Sequence, residues 1–282
     1  MTQPDSPSST QPVLLTEVDN RIGIIPLNRP HRRNALNGEL IEALDAAVQQ
    51  MADDPGVKIV ILTGAAPDGG HGGFCSGGDT REGGVRRAEG DDRPTGAAPG
   101  SREDDLTRFD LHAPMLLHTM PKPTIAMIGG PAVGAGLSLA GACDLRYSSD
   151  DAVFAANFSA NGLSGDYGGT VFWTNIIGTA RTRELYYLND RLTAEEAYAW
   201  GMVNRVLPAA ELRAYTMSVA ERMLRVPASL LALVKDNVTQ AEQDADRRRV
   251  LFTNESRNQR QAGRDIAERL RKRAEQQSRS GQ

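Results

Sequence analysis

The sequence predicts an α/β protein in which at least some of the strands run parallel. An apolar, β-branched run at 21–27 is followed by an amphipathic helical pattern and then by a second such run at 57–63. This strand–helix–strand order is typical of folds in which helices connect parallel strands. Two glycine-rich turns support the same class, because each follows an apolar run and leads into helix-compatible sequence. We call them the first turn (74–79, FCSGGD) and the second turn (129–136, GGPAVGAG).

The N-terminal elements follow from local patterns. The runs 13–19 and 21–27 predict two strands around a turn at Asp19-Asn20. Asn37 is suited to cap a helix, since its side-chain oxygen accepts a first-turn N–H. That helix has apolar positions at spacings of 4, 4 and 3, namely Leu40, Leu44, Val48 and Met51.

The later elements are predicted in the same way. The β-branched run 57–63 indicates a strand that is buried on both faces. Residues 144–147 predict a further strand, and 192–200 predict a helix. In that helix Thr193 and Glu196 have the spacing of a capping box, in which each side chain bonds the other residue's main-chain N–H. From 211 onward the pattern is helical almost to residue 282.

The domain organisation is predicted from changes in composition. Residues 1–12 are rich in Ser, Thr, Pro and Gln and are expected to form a disordered tail. Residues 13–210 form the α/β core, and 211–282 form a C-terminal helical region. Within the core, 81–108 mix Gly, Pro and charged residues and are predicted to be a mobile surface insertion. Since it directly follows the first turn, this insertion is either a lid or a passive loop.

Composition excludes several classes of function. The net charge of −4 gives no reason to expect a nucleic-acid partner, and no apolar run is long enough to span a membrane. The N-terminus lacks the apolar stretch of a secretory signal. Cys75 and Cys143 are expected to be buried free thiols and not a disulfide. A cytoplasmic protein is therefore expected. The histidines lack metal-ligand spacing, so no metal site is expected. The second turn lacks the third glycine of a dinucleotide-binding fingerprint, so a nucleotide-dependent oxidoreductase is not expected either.

The two glycine-rich turns carry the functional hypothesis. Glycine tolerates backbone conformations that leave N–H groups unpaired and directed into a cleft. Two such amides that converge on one oxygen form an oxyanion hole, which stabilises negative charge developing on a carbonyl such as that of a thioester. The alternative is that both turns are merely tight strand-to-helix connections.

Further motifs occur in order along the chain: NRP at 28–30, NAL at 34–36, the first turn, the string 123–144 that contains the second turn, LTAEEA at 192–197 and GMVN at 201–204. With these motifs the chain resembles the crotonase superfamily, which contains the enoyl-CoA hydratases and isomerases. The resemblance extends from residue 13 into the C-terminal helices. The strings at 74–79 and 201–204 also resemble the 1,4-dihydroxy-2-naphthoyl-CoA synthase branch.

The resemblance implies a crotonase-like ββα-superhelix core, with C-terminal helices that build homotrimers or hexamers. It implies an acyl-CoA substrate, with coenzyme A as part of that substrate and no separate cofactor. The thioester oxygen would lie between the amides of Gly78 and Ala135. The substrate-binding positions that it implies are Arg33 near the CoA channel, Asp79 and Thr80 beside the adenine, Thr170 near a substrate oxygen, and Ala35, Ser76 and Phe158.

The catalytic carboxylates of a hydratase are absent. Hydratases of this superfamily use two glutamates for proton transfer, and the matching positions here are Ser138 and Phe158. The nearest replacement is Asp166, which is expected to lie among glycines in an apolar cleft with a raised pKa and to act as acid or base. Tyr167 is a candidate proton donor. The structural alternatives are that Asp166 caps a helix beginning near Gly168, and that Ser138 serves packing or a local hydrogen bond.

The sequence therefore predicts a lyase or isomerase of the enoyl-CoA hydratase/isomerase type, with an enolate stabilised by the two turns. Two alternatives remain open. One is a hydrolase or synthase-type member of the superfamily. The other is an acyl-CoA-binding protein without catalytic activity, which the absence of both glutamates favours.

Overall fold

The computed structural model describes residues 12–66, 72–79, 112–161 and 165–242. Its larger sheet has six strands in the order β1-β2-β3-β4-β6-β9. Strand β1 pairs antiparallel with β2, and every other neighbouring pair in this sheet is parallel. The strands of the described chain are β1 (Glu17–Asp19), β2 (Ile22–Leu27), β3 (Ile59–Gly64), β4 (Thr124–Ile128), β5 (Ala132–Val133), β6 (Leu145–Ser149), β7 (Val153–Ala155), β8 (Leu192–Thr193) and β9 (Arg205–Leu207).

Helices occupy most of the connections between the strands, as the strand–helix–strand pattern predicts. Short 3-10 turns at Pro30–Arg32 and Ser159–Asn161 add to them, and the fourth helix kinks at Gly178. The α-helices are α1 (Gly38–Asp53), α2 (His112–Thr119), α3 (Ala135–Ala142), α4 (Gly169–Leu188), α5 (Ala194–Trp200), α6 (Ala209–Leu224) and α7 (Ala228–Ala241).

The core lies on both faces of the larger sheet. Alternate residues of β2 and β3 point to opposite faces, so that Ile59 and Ile61 join one cluster while Val60 and Leu62 join the other. Helix α6 covers the first face through Leu212, Val219 and Ala220. Helices α1 and α3 contribute to the cluster on the second face. Burial on both faces explains why β3 is a continuous apolar run.

A smaller sheet holds the second turn in place. Its strand order is β5-β7-β8, and β5 is itself part of the second turn. Ala132 pairs with Phe154 and Val133 pairs with Ala155 in parallel register. The Gly134 N–H then donates to the Ala155 carbonyl at 3.0 Å. The second turn is therefore attached to a strand immediately before it enters α3.

Most of the predicted elements are confirmed. The Asn37 side chain accepts the Leu40 N–H at 3.0 Å, and Thr193 and Glu196 form the predicted capping box. The first strand is shorter than predicted, because it begins at Glu17 and Leu14 makes only an isolated bridge to Leu27. Cys75 and Cys143 are buried free thiols, as predicted, and burial raises the pKa of each to about 12.

Several predictions concern residues that the structure does not describe. They include the tail at 1–12 apart from Pro12, the insertion at 81–108 and the part of the C-terminal region after 242. The division into these regions stays a prediction. Within the described ranges no helix is long and apolar enough to cross a membrane, and no group of three or more His, Cys, Asp or Glu side chains could hold a metal ion.

Asn34 ties three parts of the chain together next to the first turn. It is fully buried and adopts a left-handed conformation with φ 55°. Its Oδ1 accepts the Arg29 N–H at 2.9 Å, and its Nδ2 donates to the carbonyls of Ala65 at 3.1 Å and Gly73 at 2.6 Å. The asparagine side chain thus satisfies main-chain groups that would otherwise be buried without partners.

We expect Asn34→Ala to reduce the free energy of unfolding by about 2–4 kcal/mol, because it leaves these buried groups unpaired. Urea unfolding followed by circular dichroism measures this loss. Asn161→Ala is the matched control, since Asn161 is exposed and, among the described residues, its side chain donates to the nearby Asn157 carbonyl alone. Equal stability of the two variants would contradict this account of Asn34.

Candidate active site

The two glycine-rich turns lie side by side. Cys75 of the first turn pairs with Ala132 of the second in a short parallel bridge. The Cys75 N–H donates to the Pro131 carbonyl at 3.1 Å, and the Val133 N–H donates to the Cys75 carbonyl at 2.9 Å. The structure therefore brings together two segments that are separated by about fifty residues in sequence.

The first turn also pairs on its other side, with the chain before α1. The Ser76 N–H donates to the Arg33 carbonyl at 3.1 Å, and the Asp79 N–H donates to the Leu36 carbonyl at 2.8 Å. The Leu36 N–H donates in return to Gly77 at 2.8 Å. The first turn is thus held between two segments, in the manner of a strand between two neighbours.

The amides of Gly78 and Ala135 do not take part in this pairing. Within the described residues neither N–H donates a hydrogen bond to the protein. Ala135 is the first residue of α3, whose first-turn N–H groups have no partner within the helix. Gly77 has φ +90°, and a Cβ there would lie 2.9 Å from the Val133 oxygen and 3.5 Å from the Ala135 nitrogen. The first turn therefore runs directly past the N-terminus of α3.

Close packing at Gly136 depends on the absence of a side chain. A Cβ on Gly136 would overlap the carbonyl oxygen and the Cβ of Cys75. Every residue of α3 is buried, so that the N-terminus of the helix lies in an apolar environment. The partial positive charge at this helix end is therefore weakly screened by solvent.

Asp79 closes the first turn through two ion pairs. Its side chain is buried, and its carboxylate contacts the guanidinium groups of Arg29 at 2.9 Å and Arg32 at 3.4 Å. Arg29 also donates to the Ala35 carbonyl at 2.6 Å. These contacts bind the end of the first turn to the loop that carries Arg33. The side chain of Asp79 thus has a structural function, and its predicted place beside the adenine stays a prediction.

Ser138 lies within α3, three residues after Ala135, and is fully buried. Its hydroxyl is 3.5 Å from the Gly134 carbonyl. Gly169, at the start of α4, approaches it closely, because a Cβ on Gly169 would overlap both the Ser138 and the Tyr186 hydroxyl oxygens. The Tyr186 ring stacks on Phe158, with ring centroids 5.7 Å apart and an angle of 12° between the planes.

The structure corrects two expectations for Asp166. Its side chain is exposed, not enclosed in an apolar cleft. The N-cap of α4 is Gly168, not Asp166. The physical reason is the backbone, since Tyr167 and Gly168 have φ values of 55° and 71° and reverse the chain. This reversal buries Tyr167 and leaves Asp166 on the surface, where its Oδ1 accepts the Tyr167 N–H at 2.7 Å.

The other predicted substrate-binding residues are distributed around the two turns. Arg33 has φ 53°, and its carbonyl accepts the N–H of Ser76, which places Arg33 directly beside the first turn. Ala35 is buried next to them. Thr170 is exposed in the first turn of α4. Thr80 lies outside the described residues.

Sequence reasoning missed Tyr186. It is 6% exposed, whereas the adjacent Tyr187 is 71% exposed. Burial raises the pKa of Tyr186 to about 12; the neighbouring Ser138 side chain lowers this pKa and the charge of Asp166 raises it. The one available signal was helical spacing, because Thr182, Leu185 and Tyr186 share the buried face of α4.

Comparisons with known proteins show the family to which the chain belongs. The sequence profile of the enoyl-CoA hydratase/isomerase family matches residues 17–279. The chain belongs to that family. It is 32% identical over 229 residues to 1,2-epoxyphenylacetyl-CoA isomerase of Escherichia coli (strain K12), covering 81% of this chain and 82% of the relative. It is 30% identical over 225 residues to 4-chlorobenzoyl coenzyme A dehalogenase-1 of Arthrobacter sp, covering 79% of this chain and 76% of the relative.

A solved structure supports the same assignment. The putative enoyl-CoA hydratase of Thermobifida fusca YX in complex with CoA has a TM-score of 0.75 and 28% identity, over 93% of this chain and 95% of that one. The crotonase-like fold implied by the motifs is thereby confirmed. The relatives include hydratases, an isomerase and dehalogenases, so this family member is an enzyme whose reaction the family alone does not select. The resemblance to the naphthoyl-CoA synthase branch stays a prediction.

We expect Gly136→Ala to separate the two turns, because its Cβ would overlap Cys75. The melting temperature should fall by about 5 °C or more, and CoA thioester binding should weaken at least tenfold. Differential scanning fluorimetry and calorimetric titration measure the two effects. Gly38→Ala is the matched control, since a Cβ there has no neighbour within 4 Å. A Gly136→Ala variant as stable as this control would show that the close approach of Gly136 to Cys75 does not contribute to stability.

Proposed function

We propose that the protein acts on an acyl-CoA thioester through an enolate whose oxygen is held by the main-chain amides of Gly78 and Ala135. The observation that carries this proposal is the pair of N–H groups where the two turns meet, neither of which has a hydrogen-bond partner among the residues that the structure describes. Preorganised donors stabilise charge that develops in the transition state more than the neutral ground state, and they do so most in a site of low dielectric constant. Family membership supports the thioester as the substrate class.

The groups that surround this point are suited to an anionic oxygen. The N-terminus of α3 contributes a partial positive charge. Ser138 and Tyr186 are hydroxyl groups and bring no negative charge to the interior of the site. The buried carboxylate of Asp79 is paired with Arg29 and Arg32.

For proton transfer we propose Asp166. It is near enough to Tyr186 for its charge to act on the phenol, and its Oδ1 is oriented by the Tyr167 N–H. Ser138 and Phe158 occupy the positions at which a hydratase of this family has its glutamates, and neither supplies a carboxylate. A single acid–base group suits a proton shift along the acyl chain, in which one carboxylate removes a proton and returns it to another carbon.

We further propose that the protein assembles as a homotrimer or hexamer. On α7, Val234 and Val238 are 53% and 57% exposed, and Leu188 at the end of α4 is 60% exposed. Contact with further copies of the chain would remove this apolar surface from water.

We expect Ala135→Pro to lower kcat by about 100- to 1000-fold on whichever thioester the wild type turns over, because proline lacks the N–H donor. Crotonyl-CoA, longer enoyl-CoAs and 3-oxoacyl-CoAs form the assay panel. Proline is well tolerated at the first position of a helix, so the variant should fold. Ala228→Pro makes the same change at the start of α7, where Ala228 is exposed, and should retain wild-type activity.

Full activity of Ala135→Pro would overturn the oxyanion assignment. Absence of turnover by the wild type across the whole panel, together with tight thioester binding, would instead indicate a binding protein without catalytic activity.

We expect Asp166→Asn to lower kcat by about 100-fold or more with little change in KM, because the amide cannot accept the proton. Steady-state kinetics on the best thioester of the panel measures this effect. Asp151→Asn is the matched control, since Asp151 is an exposed aspartate in the turn between β6 and β7. Equal activity of the two variants would remove Asp166 from the mechanism.

A further inference from the structure

One peptide group of the first turn is held by its carbonyl. The Gly77 carbonyl accepts the Leu36 N–H at 2.8 Å, and Leu36 and Gly78 lie opposite each other in a short parallel bridge. In a planar trans peptide the carbonyl and the N–H point in opposite directions. Because the Gly77 carbonyl points to Leu36, the N–H of Gly78 in the same peptide points away from Leu36. The direction of this N–H therefore depends on where Leu36 lies.

The segment that holds this peptide lies outside the helices and strands. Ala35 and Leu36 lie between the 3-10 turn at 30–32 and α1. The side chain of Arg29 joins this segment to the first turn. Its Nη1 atom donates to the Ala35 carbonyl at 2.6 Å and to the Asp79 carboxylate at 2.9 Å. Since Ala35 precedes Leu36 and Asp79 follows Gly78, the arginine connects the two segments directly beside the bridged pair.

The main chain of Arg29 is itself fixed. Its N–H donates to the Asn34 side chain at 2.9 Å, and its carbonyl accepts the N–H groups of Arg32 at 2.9 Å and Asn34 at 2.8 Å. Arg29 is 3% exposed, and the carboxylate of Asp79 is buried as well. With both its backbone and its side-chain contacts fixed, the guanidinium group has little freedom to move.

The chemistry of this ion pair favours a positioning role over a stabilising one. Taking both charges out of water costs free energy, and apolar side chains of similar volume often stabilise a fold equally well. A guanidinium group is planar, so the Nη1 hydrogens have fixed directions, here toward the Ala35 carbonyl and the Asp79 carboxylate. Apolar side chains would fill the same space without defining these directions.

We propose that Arg29 is a positioning residue that sets the direction of the Gly78 N–H through Ala35 and Asp79. The arginine acts through these two partners, and the Gly78 amide makes the contact with the thioester oxygen. This inference rests on the proposed function, because it takes the Gly78 amide to be an oxyanion donor. It adds a residue outside both glycine-rich turns on which the alignment of that donor depends.

Arg29→Lys tests the proposal with the charge retained. The ammonium group still pairs with Asp79, so the variant should fold, but its flexible chain does not fix the directions of the two hydrogen bonds. We expect kcat on the best thioester to fall about 10- to 100-fold while KM changes less than about twofold, because the donor is misaligned for the transition state. The stretching frequency of a carbon-13-labelled thioester carbonyl bound to this variant should move toward its value in water.

Arg29→Met and Lys235→Met form a matched pair that separates alignment from stability. Lys235 is also buried, and its Nζ atom contacts the Asp144 carboxylate at 2.9 Å and the Leu117 carbonyl at 2.7 Å. Asp144 directly precedes β6, at the edge of the larger sheet opposite to the two turns. Each variant removes a buried cation and should lower the melting temperature. Only Arg29→Met should also lower kcat and shift the carbonyl frequency.

The outcomes separate the possible failures. Wild-type kcat and carbonyl frequency in Arg29→Lys would overturn the role of Arg29 while the oxyanion assignment stands. Equal losses of kcat in Arg29→Met and Lys235→Met would overturn it too, because the effect would then follow from stability alone. If Arg29→Met does not fold, Arg29→Lys decides. If the thioester carbonyl has the same frequency on the wild type as in water, the proposed function is wrong as well.

Discussion

The close contact between the two glycine-rich turns is the constraint on which the rest of the site depends. The first turn lies between the second turn and the chain before α1, and it passes the N-terminus of α3 at a distance that excludes a side chain on Gly136. Main-chain bonds on both sides hold the turn in place, while the N–H groups of Gly78 and Ala135 have no partner in the described part of the chain. In most loops, a backbone N–H without a partner goes with a flexible chain. Here the main-chain bonds on both sides keep the turn rigid although these two N–H donors have no such partner among the described residues.

The surrounding fold stabilises this contact through buried polar groups. Asn34 satisfies main-chain groups behind the first turn, and Asp79 binds its end to Arg29 and Arg32. Strand β7 holds the second turn through β5. Each of these groups is costly to bury alone and is stabilised by its partners, so the removal of one partner has a large effect. The apolar layers on the two faces of the sheet provide the burial that makes these polar contacts strong.

The elements that local rules determine were predictable from the sequence. The Asn37 cap and the capping box at Thr193 and Glu196 depend on neighbouring residues only, and β3 was recognisable because its own sequence is a continuous apolar run. The two turns were identifiable because glycine spacing reflects close backbone approach. Long-range packing was not predictable in this way. Whether Tyr186 or Tyr187 faces the interior depends on how α4 packs, and the exposure of Asp166 depends on the chain reversal at Tyr167 and Gly168.

The central claim is that the two amides polarise the carbonyl of a bound thioester, and infrared difference spectroscopy tests it most directly. The sample is the full-length protein with an acyl-CoA whose thioester carbonyl is labelled with carbon-13, compared with the same thioester in water. Hydrogen bonds from two preorganised donors weaken the C=O bond, so the account predicts a clearly lower stretching frequency for the bound carbonyl. A bound carbonyl whose frequency equals or exceeds that in water would contradict it.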